Sequence, residues 1–209
     1  MKYFTKSFSL LELIFTIALI GIISSQFIPK NNLSKLNIAA DKIIMYLKYT
    51  RYIAMIDNKY NHLDDMWFRE RWTVKFQNCS SSIGGLYYVV YSDTNHGGGI
   101  NKSECLKDPI TNKYLYSHYD CNAGSDESKY VLLTKTFGVT NIDITCNKTS
   151  TIGQISFDHM GKAYSKIGVE VEDSKKYYIK DDCLIKMYDK EKNMVELVIE
   201  GHTGFIYKR

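Results

Sequence analysis

Residues 8–29 read FSLLELIFTIALIGIISSQFIP, and the fold turns on how that stretch is taken. From Phe8 to Ile28 the run carries a single charge, Glu12, while Lys2 and Lys6 precede it and Pro29 follows it. As one helix it would rise roughly 32 Å at ~1.5 Å per residue, enough for a hydrocarbon core of ~30 Å. The run is too long for the apolar core of a cleaved secretory signal, and Ser24-Ser25-Gln26 makes a poor cleavage site. The reading is therefore a membrane-spanning helix over 8–28. Lys2 and Lys6 on one side and Lys30, Lys35 and Lys42 on the other leave its orientation open. A lone carboxylate in such a helix is costly, so Glu12 is expected to have a function and a partner.

The segment Ser7-Phe8-Ser9-Leu10-Leu11-Glu12-Leu13-Ile14 resembles the processing site of type IV pilins and type II secretion pseudopilins. That resemblance implies a leader over 1–7, cleaved by a prepilin peptidase between Ser7 and Phe8, with methylation of the new Phe8 amine. Counting from Phe8, Glu12 is the fifth residue and Pro29 the twenty-second, where the family places its assembly glutamate and a helix-distorting proline. Ser7 stands where the family usually has Gly. The resemblance further implies that Phe8 of one subunit neutralises Glu12 of its neighbour as the helices stack, and that Glu12 and Pro29 serve assembly. The partners it implies are other pilin or pseudopilin subunits, the peptidase and an inner-membrane assembly platform. The chain would be a single-pass protein of the bacterial inner membrane with its C-terminal domain in the periplasm.

Beyond Pro29, Leu33, Leu36, Ala40, Ile43, Leu47, Thr50 and Ala54 step by three and four, the apolar stripe of a helix that runs to residue 57. Such a stripe needs a surface to cover, and a following sheet supplies one. After a polar connection at 58–69, short β-prone runs alternate with Gly, Asn, Asp and Ser. They are Arg71–Gln77, Leu86–Ser92, Tyr130–Thr136, Ile142–Cys146, Gln154–Phe157, Tyr177–Lys180, Leu184–Tyr188, Val195–Ile199 and Gly204–Tyr207. The expected fold is α+β: a long N-terminal helix over 8–57, membrane-spanning in its first half, packed on an antiparallel sheet within a globular domain over 58–209.

Five cysteines with no C-x-x-C and no zinc spacing suit an oxidising compartment. Cys146 closes one expected strand and Cys183 opens another, so they are expected to pair; Cys105–Cys121 is the second choice and leaves Cys79 free, an arrangement in which either could exchange. Residues 93–104 have the layout of a calcium loop, with Asp93, Asn95, Gly99 and Glu104 at ligand positions and Gly98 at the sharp turn. The plainer reading of this segment is a Gly-rich turn between strands. No other cofactor is implied.

Catalytic signals are poor: His62, His96, His118, His159 and His202 are scattered, and no nucleophile elbow or phosphate loop occurs. The chain is not expected to be an enzyme. Trp67-Phe68-Arg69-Glu70-Arg71-Trp72 mixes aromatics and arginines as a nucleic-acid surface does, or as a core lid with snorkelling arginines does. A net charge of +4 gives nucleic acid little help.

Three short segments extend the resemblance. Leu47 to Ala54 resembles the end of the long helix in minor pseudopilins, Ile155 to Lys162 a strand and turn, and Gly201 to Tyr207 their final strand. Together they imply a minor pseudopilin, a structural subunit that polymerises through its first helix. The other readings are a minor pilin for DNA uptake, or an anchored periplasmic β domain that binds DNA or a secreted protein without polymerising.

Overall fold

The structure, a computed structural model, describes residues 9–26 and 31–209. Ser7, Phe8 and Pro29 lie outside the described residues. The chain forms two compact units, Met1–Asn32 and Leu33–Arg209.

The first unit contains α1, Leu10–Gln26. Its 17 residues rise only about 25 Å at ~1.5 Å per residue, short of the ~30 Å a spanning helix must cover. No helix among the described residues is long and apolar enough to cross a membrane. This corrects the expected span over 8–28, and with it the single-pass inner-membrane placement. The expected long helix over 8–57 is described as two helices, α1 and α2 (Asn31–Ile56), and from Leu33 onward α2 belongs to the unit of the β domain.

In α2 the sequence period and the burial agree. Leu36, Ala40, Ile43, Leu47, Thr50 and Ala54 are buried, joined by Ala39 and Tyr46. Burying each large aliphatic side chain contributes about 1.5–3 kcal/mol, so the stripe holds the helix to the domain. Thr50 fits among apolar neighbours because its hydroxyl donates to the Tyr46 carbonyl at 2.6 Å. The Tyr46 hydroxyl in turn donates to Asp108 at 3.0 Å. Burial pushes the Asp108 carboxyl up, but donation from the Ile110 amide, Thr111 and Tyr46 outweighs it and holds the group below its ordinary range.

The β domain has two four-stranded antiparallel sheets. The first runs β2 (Leu86–Tyr91), β1 (Trp72–Asn78), β4 (Gly153–Phe157), β5 (Ala163–Tyr164). Its centre is the β1 register, with Val74 between Val90 and Ile155 and Phe76 between Tyr88 and Gly153. The second runs β3 (Val139–Ile144), β6 (Cys183–Asp189), β7 (Met194–Ile199), β8 (Ile206–Lys208). Along β6, Cys183, Ile185 and Met187 are buried and the residues between them half-buried, the period of two of a sheet with one face inward.

Two expected strands are absent. Over 130–136 the chain makes a 3-10 turn and then the short helix α3, Leu133–Phe137, stopped by Gly138 in the left-handed conformation (φ 76°). The Thr134 hydroxyl donates to the Val139 carbonyl and accepts from the Leu86 amide at 2.9 Å, so contacts outside the segment fix the helix. Tyr177–Lys180 contributes one isolated bridge, Tyr164 to Tyr178, and no strand.

Arg51 of α2 reaches both sheets. Its Nε donates to the Gly161 carbonyl at 2.9 Å in the β4–β5 turn, and its Nη2 donates to the Thr203 carbonyl at 3.0 Å in the β7–β8 turn. The turns themselves nearly touch: a Cβ on Gly204, whose φ is +65°, would sit 2.4 Å from the Gly161 carbonyl oxygen. Arg51→Met is expected to cost about 2 kcal/mol in urea unfolding, from two carbonyls losing a charged donor with partial water replacement.

Two disulfides tie loops to strands. Cys146–Cys183 joins the end of β3 to the start of β6, with Cα atoms 5.3 Å apart, and is the expected pair. Thr145 places it by exchanging backbone and side-chain hydrogen bonds with Leu184. The other bridge is Cys79–Cys121, not Cys105–Cys121. The Ser80 amide donates to the Tyr119 carbonyl at 2.7 Å, which brings the end of β1 beside Cys121. Cys105 is buried and free, pairs instead in a bridge with Tyr91, and its Sγ donates to the Asn101 carbonyl. Burial, then Glu104 and Glu127, push its thiol up to about 12. Native protein is expected to resist alkylation and to take up one label per chain once denatured without reductant, read by intact mass.

Candidate functional site

The feature of α1 that sets it apart is where its side chains point. Every described side chain from Ser9 to Ser24 is exposed, including Leu10, Phe15 and Ile20 on successive turns. A helix apolar all round is ordinarily a buried element, and the described side chains of this one are exposed.

Glu12 stands at the N-terminus of that helix. The Ser9 hydroxyl accepts the Glu12 amide at 3.2 Å, and Glu12 Oε2 accepts the Ser9 amide at 3.1 Å. This is a reciprocal capping box, with the carboxylate at the positive end of the helix dipole. The S-x-x-E spacing of residues 9–12 carries that signal in the sequence, where the carboxylate reads first as a partner for another chain. Local chemistry therefore fixes where the Glu12 carboxylate sits before any neighbour is considered.

The 93–104 loop closes on itself. Asp93 Oδ2 accepts from the Gly98 amide at 3.2 Å and lies 3.6 Å from Arg69 Nη2. Asn95 Oδ1 accepts from the Gly97 amide at 2.6 Å. Glu104 Oε1 accepts from the Thr94 hydroxyl and the Asn95 amide, both at 3.1 Å, while Oε2 faces both nitrogens of Asn101. Gly98 takes the positive φ (71°) that the sharp turn requires, and Gly99 is exposed. Calcium would have to displace Arg69 from one end and loop amides from the other. Millimolar calcium is expected to leave the melting temperature of the full chain unchanged. A rise would mean that Asp93 Oδ1, which is shielded and has no protein donor, takes the ion.

A different group of ligand atoms does converge. Among the described residues, Asp64, Glu70 and His96 each bring one within 4.8 Å of the others. His96 Nε2 lies 3.2 Å from Glu70 Oε1, shielded from solvent and without hydrogen-bond geometry. One imidazole and two carboxylates are a donor set that divalent transition metals accept. Asp64 also accepts the Met66 amide at 2.8 Å. No spacing in the sequence announces this group, because its members come from the 58–69 connection, the 3-10 turn Trp67–Glu70 and the 93–104 loop.

The arginines of the Trp67–Trp72 segment face inward. Arg69 donates to the His96 carbonyl at 2.8 Å. Arg71 is only 3 % exposed and donates to the Ser174 carbonyl at 2.7 Å, so it does not snorkel. Burial lowers its pKa, while Tyr164 and Asp158 work in the opposite direction. The histidines remain dispersed: His159 packs on Tyr60, His202 on Tyr178 and His118 on Tyr119. Asp182 accepts the Gly201 amide at 3.1 Å. No family model, curated protein or solved structure matches the chain.

Proposed function

We propose that the chain is a structural subunit of a pilin-like filament, of the minor pseudopilin type, assembled through α1 and presenting its two-sheet domain. The observation that carries this reading is α1 itself: 17 residues, apolar on every face, exposed from Leu10 to Ser24, with one capped carboxylate at the start. Stacking α1 against α1 of neighbouring copies buries that surface, and each large side chain so buried contributes about 1.5–3 kcal/mol.

A second observation supports it. The three short segments that resemble minor pseudopilins, Leu47 to Ala54, Ile155 to Lys162 and Gly201 to Tyr207, are far apart in sequence. Arg51 bonds to Gly161 and Thr203, so one residue from each meets at a single point. Segments selected only by likeness have no reason to converge unless they form one structural unit.

In the assembly, cleavage between Ser7 and Phe8 by a prepilin peptidase would free an amine that pairs with Glu12 of the adjoining subunit. Breaking a buried pair of this kind is costly, which gives Glu12 its role in subunit register. Glu12→Gln separates that role from capping, because a glutamine keeps the reach-back hydrogen bond and drops the charge. Glu12→Gln is expected to abolish incorporation into sedimentable filaments as fully as Glu12→Ala, with the β domain still folded. If Glu12→Gln assembles like the native chain, the charge has no part in register and capping alone accounts for the residue. Intact mass of the native protein checks the processing step: a chain beginning at Phe8 with one added methyl group is expected.

A further inference from the structure

Behind the 3-10 turn Trp67–Glu70 lies a cavity of about 420 Å³, within the range of small-ligand pockets. Aromatic rings form its walls: Tyr60, Trp67, Tyr164 and Tyr178, with the His159 ring against Tyr60 at 5.0 Å between centroids. Arg71 lines it as well. Its guanidinium lies 3.7 Å from the Tyr164 ring centroid and 4.9 Å from that of Trp67.

The charge on Arg71 is not balanced by direct contact. No carboxylate lies within ion-pair distance of it among the described residues, and its Nε has no acceptor. Asp158, the acidic residue of the lining, has its carboxylate taken up by the Met160 and Lys162 amides and the Tyr164 hydroxyl, at 2.9, 2.9 and 3.0 Å. Lys162 and Lys175 also line the cavity, and neither forms an ion pair among the described residues. Three cations therefore face one committed carboxylate. Removing an ion from water without a matching partner is costly, and a planar guanidinium stacked on an aromatic face is the group best suited to hold a carboxylate.

We propose that this cavity is a binding site for a small ring-bearing carboxylate, whose acid group supplies the counter-charge for Arg71 and whose ring packs on the aromatic wall. Two sources share that chemistry, aromatic acids and sugar acids, and aromatic walls stack on either ring. Lys162 and Lys175 draw the anion to the mouth, and the depth of Arg71 fixes which end enters first. The site is independent of how the chain assembles, because every residue in it belongs to the domain Leu33–Arg209.

The test is calorimetric titration of the full chain, held in a non-ionic detergent, with benzoate, glucuronate and their uncharged counterparts benzyl alcohol and glucose. Saturable binding of one carboxylate per chain is expected, with the uncharged counterpart about tenfold weaker or worse. Benzoate alone would identify the aromatic source, and glucuronate alone the sugar source. Arg71→Lys keeps the charge and loses the planar fork, and is expected to weaken binding about tenfold. Because Arg71 is buried, the double variant Lys162→Gln/Lys175→Gln provides a second reading at the cavity mouth and is expected to weaken binding severalfold. The proposal is overturned if neither acid saturates, if the uncharged counterparts bind as well, or if a folded Arg71→Lys and the double variant both bind like the native chain.

Discussion

Arg51 divides one guanidinium between two carbonyls, Gly161 between β4 and β5 and Thr203 between β7 and β8, and those turns end different sheets. A side chain of α2 is thus the point at which both sheets are referred to the same helix. It lies one turn beyond Leu47, so the buried stripe that seats α2 also aims the guanidinium at the turns. Gly204 completes the arrangement, because with φ at +65° and the Gly161 oxygen where its Cβ would stand, no side chain fits there. A hydrogen bond from a charged donor to a carbonyl is worth about 1.5–3 kcal/mol when well shielded, less where water reaches it. Its larger consequence here is geometric: the spacing of the two sheets and the position of α2 cannot be set separately.

Local period is the part of the fold that the sequence makes legible. The stripe of α2 repeats every three to four residues and is buried accordingly, and β1, β2, β4, β6 and β7 fall close to their β-prone runs. Cys146 and Cys183 are readable as partners because each sits at the end of a strand, and adjacent antiparallel strands bring such ends together. Contacts across the chain are not legible in the same way. Tyr130 to Thr136 is β-prone in composition, yet Thr134 bonds to Val139 and Leu86 and the segment closes as a helix under Gly138. Cys79 meets Cys121 because the turn after β1 bonds to Tyr119, a pairing without a local signature. The apolar run at the N-terminus misleads for a different reason: composition continues to Ile28, whereas the described helix is Leu10–Gln26, and length rather than hydropathy decides whether a helix can span.

The polar interior of the domain shows how the 58–69 connection and the two residues after it, Glu70 and Arg71, acquired their chemistry. A connection rich in Asn, His and Asp would ordinarily be a solvated loop, but here its end is a 3-10 turn whose residues differ in destination. Trp67 and Arg71 go to the aromatic cavity, Phe68 is fully buried, and Arg69 and Glu70 face the 93–104 loop. Four of five consecutive residues thus serve two sites, and neither could be read from spacing because a 3-10 turn distributes side chains with a period near three. The arginines fit a polar face in the sequence and an interior role in the structure, since aromatic faces and carbonyls take the place of water around them.

The capping box at Glu12 bears on the assembly role proposed for that residue. A carboxylate on a long flexible side chain would lose conformational freedom on entering a crowded interface, and it would shed water with nothing in return. Ser9 removes both difficulties in advance: its amide holds one carboxylate oxygen, and the open end of α1 places positive partial charge beside it. The group is thus already fixed and partly solvated by the helix, and in the proposed assembly a cation brought by a neighbouring chain would add attraction with the ordering already done. In the assembly proposed above, the exposed apolar length of α1 would supply a non-directional drive for association, and a single placed charge at its start would supply what that drive lacks, a preferred register.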